Sequence, residues 1–98
     1  MAKRVRRTRL SKKDANQDGI VAALEAVGCS VVDASAIGCD FPDLVVGRLG
    51  RTYLIEVKNP EARGKLTDGQ LKFFDWWRGQ VDQAETVDDA LRIVGAIE

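Results

Sequence analysis

The sequence contains no histidine, only two cysteines and no long run of apolar residues. Serine–histidine and cysteine–histidine catalysis is excluded, because both need an imidazole as general base. The two cysteines, Cys29 and Cys39, lack the CxxC spacing of zinc sites. We therefore interpret both as small buried thiols of a protein in a reducing compartment.

Apolar runs are short throughout the chain. The longest covers residues 20–24, whereas a membrane-spanning helix needs about 20 apolar residues. The basic N-terminus is not followed by the apolar segment of a secretory signal. We expect no membrane partner and a cytoplasmic location.

The 98 residues form one small domain, and 45% hydrophobic with 31% charged residues is typical of a compact soluble fold. The formal net charge is zero, but the charge is unevenly distributed. After residue 13 there are eight basic and fifteen acidic residues, a net charge of −7. Seven basic residues precede that point: Lys3, Arg4, Arg6, Arg7, Arg9, Lys12 and Lys13.

This distribution predicts a basic arm over residues 1–13 and a single domain over residues 14–98. Such an arm favours an anionic polymer such as DNA as partner, since each basic residue can displace a counterion from a phosphate backbone. The alternative is a solvated N-terminal segment that only improves solubility.

Periodicity and turn residues predict an α/β fold of order α-β-β-β-α-β-α, with a central sheet flanked by helices. The first helix is capped by Asp14 or Asn16 and ends at Gly28. The second begins with the capping pair Thr67 and Gln70. The predicted helices cover about 14–27, 67–78 and 88–97, and the strands cover 29–33, 44–48, 51–58 and 81–86.

The second and third strands are predicted to form a hairpin that turns at residues 49–50. With Arg48 facing Arg51, this register places Asp43 directly opposite Glu56. Lys58 then lies on the same face as Glu56, because side chains alternate along a strand.

Two directly opposed carboxylates repel each other, so a purely structural sheet gains nothing from the pair. A bound Mg²⁺ or Mn²⁺ would explain it, since both ions prefer oxygen ligands. Lys58 is placed to orient a water or to offset charge on a phosphate. The alternative is that Asp43, Glu56 and Lys58 form the salt-bridged surface of an ordinary hairpin.

Two glutamines lie on otherwise apolar helix faces. Gln17 falls in line with Ile20 and Leu24, and Gln70 falls in line with Phe73 and Trp77. Each is either a local cap or part of an internal polar site beside the hairpin.

The aromatic residues of the second helix cover more than one of its faces. Trp76 lies about 120° around the helix from the main apolar stripe, so the aromatic residues cover more of the helix surface than one buried face requires. This extra ring either stacks on nucleic acid or is buried against a second subunit, and we expect a homodimer.

These residues resemble the signature of the PD-(D/E)XK nucleases. Phe41-Pro42-Asp43 is followed by Glu56-Val57-Lys58, with Glu56 thirteen positions after Asp43. With the flanking hairpin and Gln70, residues 14–94 look like a stand-alone VRR-NUC domain of the phage and bacterial type. The resemblance implies a restriction-endonuclease-like fold, with a mixed central sheet flanked by helices, in a bacterial or phage-infected cell.

The same resemblance implies roles for individual residues. Asp43, Glu56 and the carbonyl of Val57 would bind Mg²⁺ or Mn²⁺, and Lys58 would assist the attacking water. Gln70 would support the site from its helix. The family usually supplies a glutamate from the first helix, and the matching residue here is Gln17, so this position brings no charge.

The resemblance also implies a reaction and a substrate. The protein is then a metal-dependent DNA endonuclease acting on branched DNA such as Holliday junctions, as a homodimer and without a small-molecule cofactor. Two alternatives stay open: a non-catalytic DNA-binding or assembly module with a degenerate nuclease fold, and a purely structural dimer.

Overall fold

The computed structural model describes residues 12–62 and 65–98. The order of helices and strands is the predicted one, so the predicted α/β fold is confirmed. The described helices include none that is long and apolar enough to span a membrane. The elements are α1 (Lys12–Ala26), β1 (Ser30–Asp33), β2 (Leu44–Arg48), β3 (Arg51–Val57), a 3₁₀ turn (Pro60–Ala62), α2 (Asp68–Trp76), β4 (Asp82–Ala84) and α3 (Val87–Ile93).

The four strands form one mixed sheet in the order β1-β2-β3-β4. The first two pairings are antiparallel, and β4 pairs in parallel with β3. A parallel pair needs a crossover connection, and α2 lies within the segment that joins β3 to β4. The mixed sheet therefore follows from placing a helix between the last two strands.

The β2–β3 hairpin has the predicted register. Arg48 pairs with Arg51, and the pairing runs back to Leu44 opposite Ile55. The two turn residues, Leu49 and Gly50, have φ angles of 50° and 80°, as in a type I′ turn. The turn contains two residues and the pairing has no bulge, so continuing this register by one residue puts Asp43 opposite Glu56.

The hydrophobic core lies between one face of the sheet and the helices α1 and α3. Alternation along β2 and β3 sends Leu44, Val46, Ile55 and Val57 to this face, and all four are buried. The rest of the buried core cluster comes from the helices and neighbouring segments: Ile20, Leu24, Cys29, Ala84, Ala90 and Val94.

The opposite face of the sheet carries α2. Phe73 of this helix contacts Phe41 edge to face at 5.8 Å and stacks on Trp77 at 5.3 Å. Trp77 donates from Nε1 to the carbonyl of Gln80, whose side chain bonds both the N–H and the C=O of Leu54. The C-terminal end of α2 is thereby attached to β3.

The N-terminal helix differs from its predicted start. Helix α1 begins at Lys12 and not after a cap at Asp14 or Asn16, and the Asn16 side chain bonds the carbonyl of Lys58 instead. Its predicted end is confirmed, because Gly28 has a φ of 93°. Residues 1–11 lie outside the described residues, so the basic arm and the domain boundary stay predictions.

The remaining helices begin with capping boxes. The predicted Thr67–Gln70 box starts α2, and a second box of Thr86 and Asp89 starts α3 at Val87. The last strand is three residues long, shorter than predicted.

One prediction about the cysteines is wrong. Cys29 is buried, but Cys39 is exposed, because it lies in the loop between β1 and β2 that packs outside the core.

Candidate active site

Three charged side chains at the open end of the β2–β3 hairpin are buried. Asp43 is 7% exposed, Glu56 is 2% exposed and Lys58 is 8% exposed. Charged residues are almost never this buried unless they are paired or serve a site. This burial contradicts the surface placement in the alternative interpretation, although the ion pair that it predicted is present between Lys58 and Glu56.

Asp43 is held in place by its backbone and its side chain. Its carbonyl accepts a hydrogen bond from the N–H of Ala34 at 2.7 Å. Its Oδ2 accepts from the backbone N–H of Val57 at 2.9 Å. These two bonds attach the start of β2 to both neighbouring strands and direct the carboxylate across the hairpin toward the end of β3.

Glu56 is contacted from its own strand and from α2. Its Oε2 accepts from Gln70 Nε2 at 2.8 Å and lies 3.6 Å from Lys58 Nζ. Lys58 lies on the same face as Glu56, as predicted from the alternation of side chains. Two carboxylates and one ammonium give Asp43, Glu56 and Lys58 together a formal charge of −1.

Gln70 both caps α2 and bonds Glu56. Its Oε1 accepts from the N–H of Thr67 at 2.9 Å, which completes the capping box of α2. Its Nε2 is the donor to Glu56. One side chain therefore ties the start of α2 to the carboxylate on β3.

The backbone of Lys58 is held from two sides. Its N–H donates to the carbonyl of Ala84 at 2.9 Å, and its carbonyl accepts from Asn16 Nδ2 at 3.0 Å. Asn16 is thus a supporting residue that the sequence had suggested only as a helix cap. Its position next to Gln17 is the signal that could have identified it.

Gln17 is 2% exposed on α1. Its Nε2 is buried without a hydrogen-bond partner in the part of the chain that the structure describes. A buried unsatisfied amide is unfavourable by about 1–3 kcal/mol, so few remain in native proteins without a reason. The predicted inward orientation is consistent with this burial, but no hydrogen bond joins the Gln17 amide nitrogen to Asp43 or Glu56.

The basic residues predicted to bind DNA cannot be placed in the site. Lys3, Arg4, Arg6, Arg7 and Arg9 lie outside the described residues. Lys12 and Lys13 form the start of α1. The role of the arm stays a prediction.

Asp43 and Glu56 have carboxylate oxygens, and Val57 has a backbone carbonyl, that could hold a hard divalent cation. Asp43, Glu56 and Lys58 together have a formal charge of −1. Within residues 12–62 and 65–98 there is no group of three or more histidine, cysteine or acidic side chains that could hold a metal. A set of two carboxylates and one carbonyl suits Mg²⁺ or Mn²⁺ better than zinc, because Mg²⁺ commonly binds one or two carboxylates and keeps several waters.

Comparison with known proteins identifies the fold. No family sequence model and no curated protein sequence matches the chain. A solved structure described as a "VRR_NUC domain" aligns with a TM-score of 0.71 at 21% sequence identity. The alignment covers 91% of this chain and 100% of that chain. The chain has the fold of a VRR_NUC domain, which confirms at the level of fold the resemblance found in the sequence.

Proposed function

We propose that this protein is a metal-dependent DNA endonuclease that hydrolyses phosphodiester bonds with PD-(D/E)XK chemistry. The observation that carries the proposal is the buried set of Asp43, Glu56 and Lys58 at one end of a hairpin in a VRR_NUC fold. A histidine-free nuclease of this kind needs only carboxylates, a lysine and a metal.

In this proposal Asp43, Glu56 and the carbonyl of Val57 hold Mg²⁺ or Mn²⁺. When bound there, the ion would supply Lewis-acid chemistry: a lower pKa for a bound water and neutralisation of charge on the phosphate. Asp43 is kept in position by the N–H of Val57, and Glu56 is kept in position by Gln70.

Lys58 provides the cation for the chemical step. Its ammonium lies 3.6 Å from Glu56, where it can orient a water and offset the negative charge of the transition state. Gln17 contributes an uncharged amide from α1. Because it adds no negative charge, the metal is held by fewer charged ligands than a glutamate there would allow.

We further propose that the substrate is branched DNA such as a Holliday junction, cut by a homodimer in the cytoplasm of a bacterial or phage-infected cell. Two features support this. Trp76 is 65% exposed on α2, an apolar surface that a second subunit could cover. The seven basic residues before Asp14 provide charge for phosphate contacts.

Gln17 also favours a second candidate, a non-catalytic DNA-binding module with a degenerate nuclease site. This candidate predicts binding that weakens steeply with salt, depends on the basic arm and needs no divalent metal.

The test is cleavage of a labelled four-way junction beside a linear duplex of the same sequence, with EDTA, Mg²⁺ or Mn²⁺. We expect metal-dependent cutting of the junction by the wild type and none by Lys58→Ala. Arg92→Ala is the matched control, because Arg92 forms an exposed ion pair with Asp89 at 3.8 Å far from the site in sequence. Binding without cutting in either metal would favour the second candidate.

A further inference from the structure

A groove of about 370 Å³ lies between α2 and the loop that joins β1 to β2, within the size range of clefts that hold small ligands. Three aromatic rings and one aliphatic side chain line it, from Phe41, Phe73, Trp76 and Ile37. Ile37 is 61% exposed and Trp76 is 65% exposed. Single exposed apolar residues are common, but an apolar patch of several side chains indicates a binding surface.

The rings of this groove contact one another. Phe73 lies edge to face with Phe41 at 5.8 Å and edge to face with Trp76 at 6.1 Å. Phe73 therefore connects the loop side of the groove to the helix side. Since Trp76 is mostly exposed, its ring is open to a further aromatic partner.

Two side chains of opposite charge also line the groove. Lys72 of α2 is exposed and forms no ion pair with an acidic side chain in the described part of the chain. Asp40 lies on the loop side. An ammonium attracts a phosphate, and a carboxylate accepts a hydrogen bond from an amino group of a base. Aromatic walls with one cation and one acceptor therefore suit a nucleotide.

The groove adjoins the proposed active site on both of its sides. Phe41 lies two residues before Asp43, so their Cα atoms are within about 7 Å of each other. Gly69 also lines the groove, and the next residue, Gln70, donates to Glu56. A nucleotide in the groove is therefore close to a phosphate held at the two carboxylates.

We propose that this groove binds one unstacked base of the DNA, from a nucleotide next to the phosphate that is cut. The base stacks on Trp76, and Lys72 contacts a neighbouring phosphate. Such stacking accepts every base, because each has a π-face. Taking a base out of a duplex is unfavourable, and least so when the base is already unpaired. The groove thus selects DNA that is unpaired at the cut, as at a branch point. This inference rests on the proposed function and names the part of the substrate that is recognised.

Trp76 also borders a second groove, with Trp77, Arg78 and Gly79. The two grooves share only Trp76 among their lining residues. A subunit contact in the second groove is therefore compatible with a base in the first. A second copy of the chain seated in the first groove is the competing occupant.

The test is fluorescence anisotropy in EDTA with a paired duplex and with the same duplex carrying one bulged 2-aminopurine, whose fluorescence falls when it stacks. Trp76→Leu keeps an apolar side chain but removes the ring, whereas Trp76→Phe keeps a ring. Leu71→Ala is the matched control, because Leu71 is exposed on the same helix and does not line the groove.

We expect the wild type to bind the bulged duplex about tenfold more tightly than the paired one and to quench the 2-aminopurine. Trp76→Phe and Leu71→Ala should behave alike, and Trp76→Leu should lose both the preference and the quenching. Lys72→Ala should weaken binding to both DNAs and reduce the salt dependence by about one phosphate contact.

A wild type without preference for the bulge, or a preference unchanged in Trp76→Leu, would overturn the proposal. Ile37 lines only the first groove, so a change of oligomeric state in Ile37→Ser, measured by sedimentation, would assign that groove to a second copy and also overturn it.

Cleavage assays separate this inference from the proposed function. If the wild type cuts no DNA but prefers the bulged duplex through Trp76, the base site holds and the nuclease proposal fails. If the wild type cuts DNA and Trp76→Leu keeps the full preference for the bulge, the nuclease proposal holds and the base site fails.

Discussion

Gln70 joins the cap of α2 to the carboxylate of Glu56 through the two ends of one amide. Its oxygen lies 2.9 Å from the N–H of Thr67, and its nitrogen lies 2.8 Å from Glu56 Oε2. The helix can therefore not shift along its axis without moving the Glu56 carboxylate or breaking one of these bonds. Helix position and site geometry depend on the same side chain.

Replacing Gln70 should affect both stability and the site. Gln70→Met removes the donor to a buried carboxylate, a bond to a charged group that is worth about 1.5–3 kcal/mol. Urea unfolding measures this loss. The control is Asp89→Ala, which removes the Asp89 side chain from the capping box of α3, its bond from the Glu85 N–H and its exposed ion pair with Arg92, and should lower stability by about 1 kcal/mol. An equal loss of unfolding free energy in the two variants would contradict the expectation that the bond from Gln70 to Glu56 adds stability beyond that of a helix cap.

Two substitutions of Gln17 should change the stability of the protein in opposite directions. Gln17→Met removes the unsatisfied buried amide at similar volume and should raise stability by about 1 kcal/mol. Gln17→Glu buries a charge and should lower stability without metal. Added Mg²⁺ should then raise the melting temperature of the Glu variant more than that of the Met variant, because binding to the folded state stabilises it. Equal Mg²⁺ effects would place Gln17 outside the metal site.

Much of the site could be predicted from the sequence because it depends on local rules. The turn at Leu49 and Gly50 sets the hairpin register, and strand alternation then places Asp43, Glu56 and Lys58 together. The capping pair of α2 is likewise a local signal. These features need no knowledge of how distant segments pack.

The features that could not be predicted depend on contacts between distant segments. Phe41 in the loop between β1 and β2 contacts Phe73 of α2, and Asn16 bonds a backbone carbonyl 42 residues away. The exposure of Cys39 also depends on where its loop lies after folding.

Leu49 occupies a position that suits asparagine better. Its φ of 50° and its 83% exposure combine a left-handed backbone with an apolar side chain in water. Leu49→Asn should raise the free energy of unfolding by about 1 kcal/mol, since Asn-Gly is favoured in type I′ turns. Leu71→Asn is the control, because Leu71 is exposed on helical backbone and the change should be slightly destabilising. A less stable Leu49→Asn would contradict this assignment.

The two cysteines should differ in reactivity. Burial raises the pKa of the Cys29 thiol above its usual value, an effect that the charge of Arg48 partly offsets. At pH 8 a thiol reagent should therefore modify the exposed Cys39 quickly and Cys29 slowly. The Cys39→Ser variant reports the rate of Cys29 alone, and the Cys29→Ser variant reports the rate of Cys39 alone. Equal rates would contradict the burial of Cys29.

The same shift has a consequence for stability. The folded protein holds the Cys29 proton more tightly than the unfolded chain does. The stabilisation that this thiol contributes is therefore fully present when the pH is below the pKa of Cys29 in the unfolded chain. It is lost as the pH rises through the raised pKa of Cys29 in the folded protein.

The most direct test of the central claim is nicking and linearisation of a closed circular plasmid, because a circle reports only endonucleolytic cuts. The samples are wild type, Asp43→Asn and Glu56→Gln, each with Mg²⁺, Mn²⁺ or EDTA and each shown by circular dichroism to be folded. The account predicts cutting by the wild type with Mg²⁺ and none by either variant. Equal cutting by a folded Asp43→Asn protein, or none by the wild type in Mg²⁺ and in Mn²⁺, would contradict it.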